Sequence, residues 1–369
     1  MKSNKRKYLL MALFILLGIT ISFAQKNEKS FNIGNNGQIV VDISYGDIKI
    51  DTWDKSQISV KYGEDESGSS FRFVQNGNTL NITSGDDPDE DLSLTVPASI
   101  NLDLTTAGGD VKINDNINGK VECNTEGGDI KTKDINGNAS LNTSGGEVTA
   151  GKINGDALIN SGGGDLKLGV IIGKADLVTG GGNVGVSDVK KDLKVKTGGG
   201  NVNAGNVEGE LAVTTGGGNV DVIKVSNSVS VTTGGGNITL SGSKGKTKVT
   251  TGGGNIILKN SSGAVKSYTG SGDVYVELTP DPKMNSEIKS GSGSITFYIP
   301  SDAKATIIAK VRGYDRWGDN SDSPIISDFK LSTEDKSSNS LKTVYVINGG
   351  GSEIEIETSS GEIHIEKMK

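Results

Sequence analysis

Leu211-Ala-Val213-Thr-Thr215-Gly-Gly-Gly218-Asn219-Val220-Asp-Val222 is one copy of a phrase that recurs along most of this 369-residue chain. Its Asn holds the same place as Asp110, Asp129, Glu147, Asp165, Asn183, Asn201, Asn237, Asn255 and Asp273. The first interval is 19 residues and every later one is 18. Counting outward from that Asn, Asp or Glu as position zero, apolar or small residues fall at minus eight, minus six, plus one, plus three and plus six. Thr or Ser falls at minus four. Spacing by two within each segment is the period of a strand with one buried face. A fixed period of this length predicts repeats that each stack on the last, because one repeat cannot bury its own apolar face.

The pattern predicts an all-β, single-chain parallel β-solenoid, or β-helix, with coils of about 18 residues. Each coil has two short strands and a shorter third side carrying Ile135, Ile153, Val189, Val207 or Val225. Glycines between the segments are expected to supply the positive φ of tight corners. Thirteen coils are counted: the regular ones over about 101–297, one around Ile39–Ile50, and a final one over 354–365. Irregular insertions at about 51–100 and 299–343 are expected to cap the edge strands, which would otherwise invite pairing with other chains.

Lys2, Lys5, Arg6 and Lys7 precede an apolar run from Leu9 to Ile21, and Ser22-Phe-Ala24 offers a small-x-small cleavage site. Residues 1–24 therefore read as a signal peptide cleaved after Ala24, leaving 25–369 as the β domain. The run is short for a membrane span, and no second apolar stretch is long enough to be one. No cysteine lies near the leader, so lipoprotein processing is not expected. The protein is expected in the periplasm, on the outer surface or secreted. The one cysteine, Cys123, occupies a minus-six core position and reads as a small buried hydrophobe.

Chemistry is sparse. The net charge is −7 with acidic and basic residues interleaved, which lacks the basic stripe of a nucleic-acid binder. The single histidine, His364, has no nucleophile motif beside it. No His/Cys cluster suits zinc, and no glycine run has the Gly-Lys-Ser/Thr of a phosphate loop. No catalytic residue, cofactor or metal ligand is assigned. A calcium-stabilised β-roll is an alternative, weakened by the five consecutive Asn at 183 to 255, since an amide replaces a carboxylate poorly on a hard cation. The other alternative is a carbohydrate-active enzyme, a polysaccharide lyase or hydrolase, with carboxylates gathered on an outer face. No paired-carboxylate constellation is read in the regular block.

Between Leu102 and Ser267 there is no Phe, Tyr or Trp. Aromatic residues gather near the ends, and Tyr268 and Tyr275, out of phase with the core, are expected to face solvent. Arg312-Gly-Tyr314-Asp-Arg316-Trp317 places two guanidinium groups and two rings in one short stretch. Arg312, Tyr314, Arg316 and Trp317 are accordingly the candidate ligand contacts, since Arg, Tyr and Trp dominate binding hot spots. The competing reading is that the rings fold down as a cap.

Tyr45-Gly-Asp-Ile-Lys-Ile50, Leu94-Thr-Val-Pro97, the Thr-x-Gly-Gly-[Asp/Asn]-[Ile/Val] repeats and Ser360-Gly-Glu-Ile-His-Ile365 together resemble a family of exported bacterial β-strand-repeat proteins. That family is labelled "putative adhesin" and held as a domain of unknown function. The resemblance spans nearly the whole mature chain. It implies a non-enzymatic role in adhesion or envelope interaction, with a cell-surface glycan or protein as partner. It supplies no catalytic or binding residues to carry over, and fold alone does not fix function.

Overall fold

The computed structural model describes residues 27–63, 71–84, 91–313, 323–337 and 339–368. The regular elements there are all strands, from Asn27–Asn32 to Ile363–Lys367. In the repeat block each unit contributes a five-residue strand such as Leu211–Thr215 and a second strand such as Val220–Val225. Burial alternates along both, so every second side chain enters the core.

Identical positions of successive repeats pair in parallel. Leu193, Leu211 and Val229 are in register, as are Val195, Val213 and Val231. Cys123 belongs to the second of these columns, between Leu104 and Leu141, and is fully buried. Burial pushes its thiol pKa up, with the charges of Asp103 and Glu122 adding to the effect. A third side is made by bridges joining Ile117, Ile135, Ile153, Ile171, Val189 and Val207. It continues through Val225, Ser243, Ser261 and Leu278.

The glycines have a different use from the one expected. Gly46, before Asp47, has a positive φ, but the glycines just before position zero in the regular block, such as Gly146, Gly164, Gly182 and Gly218, do not. Instead a Cβ on Gly218 would lie 2.0 Å from the carbonyl oxygen of Gly200 in the repeat below. Backbones of stacked corners approach so closely that only a hydrogen fits.

Both ends depart from the parallel pattern. At the N-terminal end Thr79–Thr83 and Leu92–Pro97 add parallel strands outside Gly37–Ile43 and Ile48–Trp53. Antiparallel strands then follow: Arg72–Asn76 on Thr79–Thr83, Gln57–Tyr62 on Leu92–Pro97, and Asn27–Asn32 outermost. Here Phe31, Tyr62, Phe71 and Phe73 form one aromatic cluster, with neighbouring centroids 5.2–6.3 Å apart. At the C-terminal end Ser286–Ser290 pairs with Ser352–Thr358, which pairs with Ala305–Arg312. The last of these continues antiparallel to Ser340–Ile347 and then Thr333–Ser337.

The expected single-chain parallel β-solenoid, or β-helix, is therefore corrected. The architecture is an all-β stack of sheets of mixed direction, closed at both ends by antiparallel strands. The 18-residue period reports only which residues pair between successive repeats. A strand that turns back leaves no such signature.

Candidate functional site

The parallel register fixes the surface as firmly as the core. Because position i lies beside i+18, outward side chains form straight columns about 4.8 Å apart per step. The columns at minus nine and minus seven flank the start of each five-residue strand. Together they border one extended groove of about 1070 Å³, running from Lys120 to Asn285.

Charges along this groove are sorted by position. In its first half the lysines are paired: Lys174 reaches Asp192 at 3.0 Å and Lys194 reaches Asp176 at 2.8 Å. The Asp192 carboxyl is held below its ordinary pKa, first by the backbone amide of Glu210 and then by Lys174. Glu210, Ala212, Ser228 and Ser230 follow. Lys246, Lys248, Lys266 and Lys283 then border the far end. Lys248 lies directly beside Lys266 in register, and both are exposed.

A smaller recess continues from Lys248 and Lys266 past Tyr268 to Glu287 and Lys289. Tyr268 is 51% exposed, as its phase predicts. Tyr275 is half-buried, which corrects the expectation for it: its ring packs 5.2 Å from that of Tyr298 and its hydroxyl donates to Glu277 at 2.7 Å. That donation, with burial second, pushes the Tyr275 pKa up to about 12. Lys289 is engaged by carboxylates, with Glu287 at 2.6 Å, Glu355 at 3.4 Å and Glu357 at 3.8 Å.

Of the hot-spot residues read from sequence, the structure places only Arg312. Its guanidinium pairs with Glu357, whose side chain is largely buried. Tyr314, Arg316 and Trp317 lie outside the described residues. So does the leader.

One carboxylate pair escaped the sequence reading. Asp103 and Glu122 are direct neighbours on adjacent strands, and the 19-residue first interval would have shown it. Burial, then Glu122, raises the Asp103 pKa, while Glu122 is itself bound by Lys120 at 2.6 Å. Among the described residues no group of three or more His, Cys, Asp or Glu is placed to hold a metal ion. His364 meets Glu362 at 2.9 Å on a strand flanked by Ile295–Ile299 and Ile325–Ser327. Among the described residues no helix is long and apolar enough to cross a membrane, which leaves strands unaddressed.

The position-zero side chains are occupied within the stack. Asn201 Oδ1 accepts the amide of Asn219 at 2.8 Å, and Asp110 Oδ1 accepts that of Asp129 at 2.7 Å. The same bond recurs through Asp129, Asp165, Asn183, Asn219, Asn237 and Asn255.

The Toastrack DUF4097 family model matches residues 36–204 and again 187–366. Its stacked-sheet architecture agrees with the mixed sheets described above and replaces the β-helix label. The two matches overlap at 187–204, where Leu193–Thr197 and Val202–Val207 pair with both neighbouring repeats. The core thus runs through the overlap without a break.

No curated protein matches. A structure named as a putative adhesin from Bacteroides fragilis is 13% identical, covering 93% of this chain and 97% of that one, with a TM-score of 0.21. One named as a putative cell adhesion protein from Clostridium sporogenes is 11% identical over 93% and 100%, with a TM-score of 0.16. One named as a putative lipid binding protein from Parabacteroides distasonis is 15% identical over 93% and 97%, with a TM-score of 0.21. At these TM-scores the three carry no argument.

Proposed function

The chain belongs to the Toastrack DUF4097 family, and from that premise we propose that it is an exported, non-catalytic, adhesin-like β-repeat protein that binds a surface glycan or protein. The groove carries this reading. Its minus-seven column stays in register from Ser140 to Lys266, so a rigid stack offers one continuous contact line along its length. An extended partner suits such a line better than a small substrate held in a closed pocket.

The finer localisation goes with this proposal. Residues 1–24 act as a signal peptide cleaved after Ala24, and 25–369 form the mature β domain in the periplasm, on the surface or secreted. Arg312, Tyr314, Arg316 and Trp317 are proposed as a second contact region, in which Arg312 also serves the Glu357 ion pair.

The test is a glycan and matrix-protein binding array on the mature protein. Reproducible, saturable binding to at least one surface component is expected. Saturable binding to none of them, by a protein with an intact β-sheet CD spectrum, rejects the adhesin-like reading.

A further inference from the structure

We propose that the lysine-rich end of the groove, with Tyr268 beside it, binds a linear acidic polysaccharide. This deepens the glycan-binding reading and rests on it. Three observations converge on the site. First, Lys246, Lys248, Lys266 and Lys283 border one end of a single groove, and among the described residues none of the four ammonium groups has a carboxylate within 4.0 Å. Elsewhere in the same groove lysines are matched, as Lys174 is with Asp192.

Second, Lys248 and Lys266 stand side by side on neighbouring strands. Like charges placed directly opposite cost stability in a sheet. Ser230, the next residue of the same column, shows that an uncharged side chain fits there. On the other side of Lys266, Glu287 lies beside it in register and attracts it. Glu287 is itself bound by Lys289 at 2.6 Å, so part of the Lys248–Lys266 repulsion is left for an anion between the two ammonium groups to remove.

Third, Tyr268 is the exposed ring in the recess that Lys248 and Lys266 share. A half-exposed tyrosine offers an apolar face for a pyranose ring and a hydroxyl for its polar edge. Lysines alone suit any polyanion, but a ring face beside them suits a charged sugar. The groove follows the stack and so takes an extended chain. The class is a polysaccharide bearing carboxylate or sulfate groups at intervals along one strand.

The experiment measures binding of the full mature protein, at physiological ionic strength, to polygalacturonate, dextran sulfate, neutral dextran and a single-stranded DNA oligonucleotide. Polygalacturonate and dextran sulfate distinguish carboxylate from sulfate recognition. Binding to either, with neutral dextran inert and DNA much weaker, is the expected result. The double variant Lys248→Gln/Lys266→Gln should weaken that binding about tenfold or more, and Tyr268→Ala several-fold. The lysine variant should melt close to the parent, since it removes the repulsion between the two lysines together with the attraction of Lys266 for Glu287. Equal binding of DNA, or wild-type affinity in the lysine variant, overturns the proposal. If the lysine variant keeps wild-type binding to a surface component found on the array, this site is wrong while the adhesin-like reading stands.

Discussion

Thr215 donates its hydroxyl to the carbonyl of Gly200 in the repeat below, 2.9 Å away, while accepting the amide of Gly218 at 3.2 Å. The hydroxyl therefore clamps its own turn and ties it to the preceding one. The same pair of bonds recurs at Thr143, Thr179, Thr197, Thr233, Thr251 and Thr269, with Ser161 and Ser290 replacing Thr. This explains why the minus-four position is hydroxylated where a pure core would take Val.

Thr215→Val keeps the shape and removes both bonds, leaving a buried carbonyl and amide without that partner. The expected loss is about 1–3 kcal/mol. Thr214→Val, on the exposed side of the same strand, should change stability far less. Thermal unfolding of the two variants checks the contrast, and equal melting temperatures would remove the clamp from the account.

The glycines yield a sharper contrast between adjacent residues. A Cβ on Gly218 would meet Gly200 oxygen at 2.0 Å, whereas a Cβ on Gly217 would meet nothing within 4 Å. Neither has a positive φ. Gly218→Ala must push two backbones apart and should be severely destabilising. Gly217→Ala should be neutral or gain about 0.4–1 kcal/mol through the lower entropy of the unfolded chain. Denaturant midpoints for both variants decide the matter.

The regular block was legible because its pairing partners are copies of one another. Val213 meets Val195 and Val231, so periodicity and packing are the same information. The ends were not, because Gln57–Tyr62 and Ser340–Ile347 turn back on strands they do not resemble. The groove was half legible. Lys248 and Lys266 are 18 residues apart and their adjacency could have been read directly, yet the signs along that column alternate too irregularly to stand out. Gly218 marks a corner in the sequence, but close approach between backbones requires the glycine there and leaves the same residue as a positive φ would.

Acid should loosen the structure below the ordinary carboxylate range. Lys289 holds Glu287, and Lys167 holds Glu147, below the ordinary 4.5; the Glu210 amide and then Lys174 hold Asp192 below 3.8. A depressed native pKa gives stability that is complete above the unfolded value and is lost as pH falls through the native one. Asp103, raised by burial, works the other way and is relieved on protonation. Three depressed carboxyls against one raised predict a melting temperature that declines as pH drops from about 5 towards 3. Glu147→Gln should flatten that decline, and an unchanged slope would remove Glu147 from the set.

Arg312 is expected to behave as a structural residue as well as a proposed contact. Its partner Glu357 is 8% exposed and also lies 3.8 Å from Lys289. Arg312→Ala leaves a largely buried carboxylate with weaker compensation. The cost should be about 1 kcal/mol, because the arginine end of the pair is solvent-exposed. Glu357→Gln in the same background should recover part of the loss by removing the uncompensated charge. Binding measured alongside melting for the single and double variants separates the two roles of Arg312. A binding loss that persists after stability is restored belongs to contact, and one that vanishes belongs to folding.

Calcium should have little effect on this protein, although its turns superficially resemble those of calcium-bound repeats. A hard cation needs several free oxygens at once, best supplied by carboxylates. Here one oxygen of each bridging position-zero Asp or Asn already accepts an amide of the next repeat, as Asp129 Oδ1 does from the Glu147 amide at 2.8 Å. From Asn183 to Asn255 the column offers amides in place of carboxylates. Removing an oxygen from its amide to ligate a metal would cost a bond that joins two repeats. Millimolar calcium and a chelator should therefore give melting temperatures within a degree or so of each other. A ligand bound only by the native state at a hundred times its dissociation constant would add about 2.7 kcal/mol. A shift of that size would show that the column binds the ion after all and that the amide bonds give way to it.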